Sequence, residues 1–142
     1  MLNYPLISAL LLNATTASAG DNPMWRSSFT WSCKFTSVIR CERSVDCASS
    51  GEAGRLELAY RENHLVDGEG QAHQIKRHYV QTVTDSPIVS EVKIELDTNE
   101  VLWLSPADGA GAFSDNWVGV MLSPKAGVIV QELRPLICKP IK

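Results

Sequence analysis

From Phe29 to Phe35 the chain alternates: Phe29, Trp31, Cys33 and Phe35 fall on every second position, with Thr30, Ser32 and Lys34 between them. This period of two predicts a half-buried strand with Cys33 facing the core. Leu56, Leu58 and Tyr60 alternate with Glu57 and Ala59 and predict a second strand. Val66–Gln71 reads as a turn, and Gln74–Val83 resumes an extended pattern. With the loop taken as Asp67–Gly70, this hairpin pairs Leu58 with Tyr79, Tyr60 with Arg77 and His64 with His73.

Asp85-Ser86-Pro87 interrupts the chain before Ser90–Asp97, where Val92, Ile94 and Leu96 take one face and Glu91, Lys93 and Glu95 the other. A turn at Thr98-Asn99 returns it into Val101–Leu104, which pairs Leu96 with Val101 and places Ile94 and Trp103 together on the buried side. Ala48–Gly54 and Pro106–Asn116 read as connections because they are rich in Gly, Ala, Ser and Asp. Trp117–Leu122 is apolar on both faces, the signature of a strand covered on each side. Val128–Leu133 and Leu136–Cys138 follow, with Pro135 between them at an edge or a bulge. Beyond the opening segment nothing reads as a helix, an internal repeat or a low-complexity tract. The expectation is an all-β antiparallel meander of about seven to nine strands, closed as a small barrel or folded as a sandwich.

The opening segment changes where this domain is expected to work. Residues 1–19 hold a short apolar run to Leu12, small polar residues, and Ala17-Ser18-Ala19, the layout of a secretory signal peptide cleaved after Ala19. The run is shorter than the roughly 20 residues of a spanning helix, and no cysteine near the cleavage point offers a lipid anchor. Removal leaves 142 − 19 = 123 residues, one β domain over 20–142, soluble in the periplasm or secreted and without a membrane segment. All four cysteines lie in this part, an even number that suits two disulfides in an oxidising compartment. Cys33–Cys138 with Cys41–Cys47 is the favoured pairing of three, because the second pair flanks a short polar loop that a local bridge could close. A four-cysteine metal site is disfavoured by the C-x7-C-x5-C spacing, which lacks close pairs. The net charge of −3 argues against nucleic acid or an anionic membrane as the main partner.

Candidate chemistry is sparse. In the hairpin register above, His64 and His73 share a face with Glu62 two residues from His64, a set that could hold a divalent metal ion. His73 and His78 are five apart and fall on opposite faces of a regular strand. No Gly-x-Ser-x-Gly is present, and no cysteine is spare once both bridges form, so no catalytic residue is assigned. Asp67–Gly70 and Asp108–Gly111 resemble fragments of calcium loops but read more simply as turns, and no cofactor is expected. Lys76-Arg77-His78 lacks interleaved aromatics for stacking nucleic acid. Trp25, beside Pro23 and Met24, is a candidate anchor for a partner or a lid on the end of a barrel.

An export signal, three early cysteines and a last strand ending in cysteine resemble small secreted or periplasmic bacterial β-proteins without an assigned function. Ser49-Ser50-Gly51 is faintly similar to the inhibitory segment of periplasmic inhibitors of c-type lysozyme, small disulfide-closed β-barrels that block the enzyme cleft with a loop. That resemblance carries no site residue across. The expected function is a non-enzymatic exported binding module that recognises a protein or cell-envelope component through loops. The alternatives are a carrier of a small apolar ligand inside the barrel and a metal-dependent hydrolase using His64 and His73.

Overall fold

A computed structural model describes residues 22–51, 54–82, 90–108, 114–127 and 129–142. Residues 1–21, which include the expected signal peptide, Asp85-Ser86-Pro87 and the central part of the Pro106–Asn116 connection lie outside them. Among the described residues, ten strands follow a single 3₁₀ turn at Pro23–Arg26. They are β1 (Thr30–Phe35), β2 (Ser37–Glu42), β3 (Ala48–Gly51), β4 (Arg55–Ala59) and β5 (His64–Val66). Then come β6 (Ala72–Thr82), β7 (Ser90–Leu96), β8 (Val101–Pro106), β9 (Trp117–Pro124) and β10 (Ile129–Pro140). Eight of them, in the order β1-β4-β5-β6-β7-β8-β9-β10, form a closed antiparallel barrel, sealed by pairing β10 with β1. Closure of the eight strands leaves the barrel itself without an open edge, so the fold is a barrel and not a sandwich.

The seam carries the long bridge. Cys33 and Cys138 oppose each other directly across β1 and β10, both fully buried, and are joined as a disulfide. β10 is longer than β1, and its first half pairs instead with β2. Residues in β1 sum with their β10 partners to one number and Ile39, Arg40 and Cys41 of β2 to the next, so the β1–β2 path carries one extra residue, a bulge at Thr36. Pro135 lies opposite it, its carbonyl accepting from the Thr36 N–H at 2.9 Å. In an antiparallel strand a residue's N–H and C=O address the same neighbour, so the donor Pro135 lacks would have met the bulge, not β9. Ala48–Gly51, expected as a connection, is strand β3 on the outer side of β2. The β2–β3 hairpin is therefore a flap on the barrel, its tip closed by Cys41–Cys47 with Val45 66% exposed.

Two expected registers are off by one for the same physical reason. The β5–β6 turn closes between Asp67 and Gln71 with Gly70 at φ 84°, and the β7–β8 turn closes between Leu96 and Glu100 with Asn99 at φ 65°. Each is a three-residue loop whose last residue is left-handed, where a two- or four-residue loop had been assumed. The consequence is that His64 faces Gln74 and His73 faces Leu65, while Trp103 faces Lys93 and Ile94 faces Leu102. Leu58 and Tyr79 are not neighbours either, because β4 turns at Tyr60–Asn63 into β5 before β6 begins. Trp103 thus lies on the outer surface, 42% exposed, with its Nε1 donating to Glu91.

The middle of the barrel is filled. Trp31, Leu58, Leu65, Val92, Ile94, Leu96, Leu102, Leu104 and Trp117 interlock there with almost no exposure. The indole N–H groups of Trp31 and Trp117 donate to the carbonyls of Ser28 and Ser114, so neither is stranded in the core. Strand β9 faces inward through Trp117 and Met121. Its other apolar side, Val118, Val120 and Leu122, lies half-buried on the outer wall, not under a second layer as expected.

Candidate functional site

The two ends of the barrel differ. One end is stopped by the chain's own N-terminal segment. Asn22 caps the 3₁₀ turn by accepting from the Met24 N–H at 2.9 Å, and Met24 is fully buried with its sulfur accepting from the Tyr60 hydroxyl. Trp25 stacks on Phe29 and packs against Tyr60 and His78, so it takes the lid position. Its Nε1 is buried without an acceptor among the described residues, a local cost of the closure.

His78 reaches this end because of a bulge. Ile75 pairs with Leu96 but Arg77 with Glu95, so β6 gains a residue at Lys76 and the inward positions become His73, Ile75, His78 and Val80. His73 and His78 therefore both face inward, at opposite ends, which corrects the expectation of opposite faces. Asn22 Oδ1 is taken by Met24, so its Nδ2 donates to His78 Nε2 at 2.8 Å, and that nitrogen carries no proton. Burial lowers the His78 pKa below its ordinary 6.5. A depressed histidine stabilises the fold at neutral pH, and the contribution is lost as pH falls from about 6.5 through the folded-state value. Acidification from neutral through and below the ordinary histidine range is expected to loosen the Trp25 lid, seen as a change in tryptophan emission that His78→Phe abolishes. An identical acid step in His78→Phe would assign the effect elsewhere.

The other end is open. A cavity of about 790 Å³ is floored by Phe35, Leu56, Leu65, Leu96 and Met121, and its walls are polar. Asp67 and His73 face it from the β5–β6 hairpin and are hydrogen-bonded at 2.8 Å. Asp67 also accepts from the backbone N–H groups of Gln71 and Glu69, and with His73 these hold its carboxyl below the usual carboxylate range. Glu100 accepts from Ser123 and Thr98, which commits both of its oxygens. Arg134 points inward from β10, 5.5 Å from the Phe35 ring centre and 2.9 Å from Glu132. Burial works against charge on Glu132, but the Arg40 hydrogen bond and the charges of Arg134, Lys125 and Arg40 outweigh it and keep the carboxyl below its ordinary range. Lys34 and Arg55 face each other across β1 and β4 on the same rim.

Of the residues singled out in the sequence, the four cysteines form the expected bridges. His64, His73 and Glu62 do not come together. The register puts His64 outside and His73 inside, and Glu62 is exposed in the turn before β5. Among the described residues no group of three His, Cys, Asp or Glu is placed to hold a metal ion. Ser49, Ser50 and Gly51 lie exposed on β3, within the flap. Sequence reasoning missed Arg134 and Glu132. Counting back from Cys138 in steps of two gives Leu136, Arg134 and Glu132 on the core face, a signal present in the chain but hidden by treating Pro135 as a break.

No protein-family model, curated protein or solved structure matches the chain.

Proposed function

We propose that this is an exported, non-enzymatic binding module that meets a protein or cell-envelope component at the open mouth of the barrel. Two disulfides suit an oxidising, exported setting, and the layout of residues 1–19 supports secretion or residence in the periplasm. One observation carries the reading: the barrel is stopped at one end by its own lid, packed through the middle, and open at the other end in a cavity beside a disulfide-closed flap. The packed middle favours a surface-binding module over a carrier with an apolar ligand deep in the interior. The separation of His64 from His73 takes away the ligand pair on which a metal-dependent hydrolase would depend.

A second surface supports a variant of the same reading. Val101, Trp103, Val118, Val120, Leu133 and Ile137 form an outer face across β8, β9 and β10 with no charged residue among them, and Ile137 is 41% exposed. Affinity capture from envelope or culture extract with the oxidised protein separates the two. Arg55→Glu with Glu69→Lys at the mouth is expected to abolish capture, and Trp103→Lys to leave it intact. The reverse result would move the binding site to the outer face.

A further inference from the structure

We infer that the open mouth takes an amphipathic anion, a carboxylate or phosphate head on a short apolar body. This rests on the reading of the mouth as the binding site and names its ligand chemistry. The floor is apolar and drawn from five strands, through Phe35, Leu56, Leu65, Leu96 and Met121, so it accepts a hydrocarbon surface. A volume of about 790 Å³ falls within the range of small-molecule sites.

The polar walls decide the sign of the head group. Two of the carboxylates that line the mouth are already committed to the protein's own donors, Asp67 to His73, Glu69 N–H and Gln71 N–H, and Glu100 to Ser123 and Thr98. Three cations line the mouth from strands that are consecutive around the barrel. Arg134 points inward from β10, paired with Glu132, while Lys34 and Arg55 stand exposed on the rim at outward-facing positions of β1 and β4. Lys34 and Arg55 are directly opposed across their strands, an arrangement of like charges that destabilises a sheet unless something of opposite sign lies between them. Neither has an ion-pair partner among the described residues. Glu69, on the turn beside β4, bounds this cationic arc on one side. An anion held against the arc places its apolar body over Phe35 and Met121, and arginine and lysine supply the charge-assisted hydrogen bonds that carboxylate and phosphate oxygens accept.

The test titrates the oxidised protein with decanoate, decyl phosphate, decanol and decyltrimethylammonium, read by calorimetry. Both anions are expected to bind saturably, with affinity that falls as salt rises, and decanol and the cation are not. The tighter of the two anions identifies the head group as carboxylate or phosphate. Lys34→Glu with Arg55→Glu is expected to weaken anion binding by about tenfold or more with a near-native thermal midpoint, since both side chains are exposed. Should that double variant fail to fold, Arg55→Gln alone is expected to weaken binding by several fold. The inference is overturned if neither anion binds below about 1 mM, if decanol or the cation binds as well, or if the rim variants leave affinity unchanged. Mouth-dependent capture of a partner without anion binding would overturn this inference and leave the proposed function standing.

Discussion

Gly119→Ala is expected to cost about 3–5 kcal/mol, a large share of the roughly 5–15 kcal/mol that stabilises a typical domain. Gly119 lies in β9 opposite Leu104, where the strands approach closely. A Cβ there would lie 1.8 Å from the Trp103 carbonyl oxygen, 2.8 Å from its carbon and 3.0 Å from the Leu104 Cα. All three are backbone atoms, so no side-chain rotation relieves the clash. Strand β8 would have to separate from β9, breaking a ladder that runs from Val101 to Pro106 in the middle of the closed sheet. Gly51→Ala is the control, because nothing lies within 4 Å of the Cβ it would add. A thermal midpoint for Gly119→Ala within a few degrees of the parent would refute the close approach.

Replacing both Cys33 and Cys138 by alanine is expected to be the other severe change. The bridge spans 105 residues of sequence, and the loop-entropy model values such a closure at about 4–5 kcal/mol. Removing Cys41 and Cys47, six residues apart, is expected to cost about 2–2.5 kcal/mol by the same model. Position widens the difference. Cys33 and Cys138 are fully buried at the seam where β1 meets β10, so alanine there also leaves unfilled core volume, whereas the short bridge closes an exposed flap tip. Denaturant titration of the two double variants measures the order directly. A larger loss for the flap bridge would show that the seam holds without its sulfur.

The same contrast between seam and rim explains what the chain reveals about itself. Alternation in Phe29–Phe35, Leu56–Tyr60 and Ser90–Asp97 identifies strands and their wet and dry sides, because burial in a sheet is decided by a period of two. The disulfide partners were legible for a similar reason, since two core-facing cysteines near opposite ends of the domain suit an oxidising compartment. Register was not legible. Gly70 and Asn99 each add a left-handed residue to a turn, and one residue is enough to move His64 away from His73 and Trp103 out of the core. Bulges at Thr36 and Lys76 act in the same way within strands, turning Val38 and His78 inward.

The open mouth was hidden more deeply. Its residues come from seven strands and three connections, separated by as many as 100 positions between Lys34 and Arg134, and none forms a local motif. Sequence alone determined the all-β class, the wet and dry sides of β1, β4 and β7, and the four cysteines that would cross-link it, because these follow from local alternation and side-chain chemistry. Only the tertiary structure decided that the sheet closes, that the N-terminal segment stops one end, and that Lys34 and Arg55 oppose each other on the rim of the other. Closure depends on the summed register of eight strand pairs, and a single extra residue at any turn or bulge rewrites that sum.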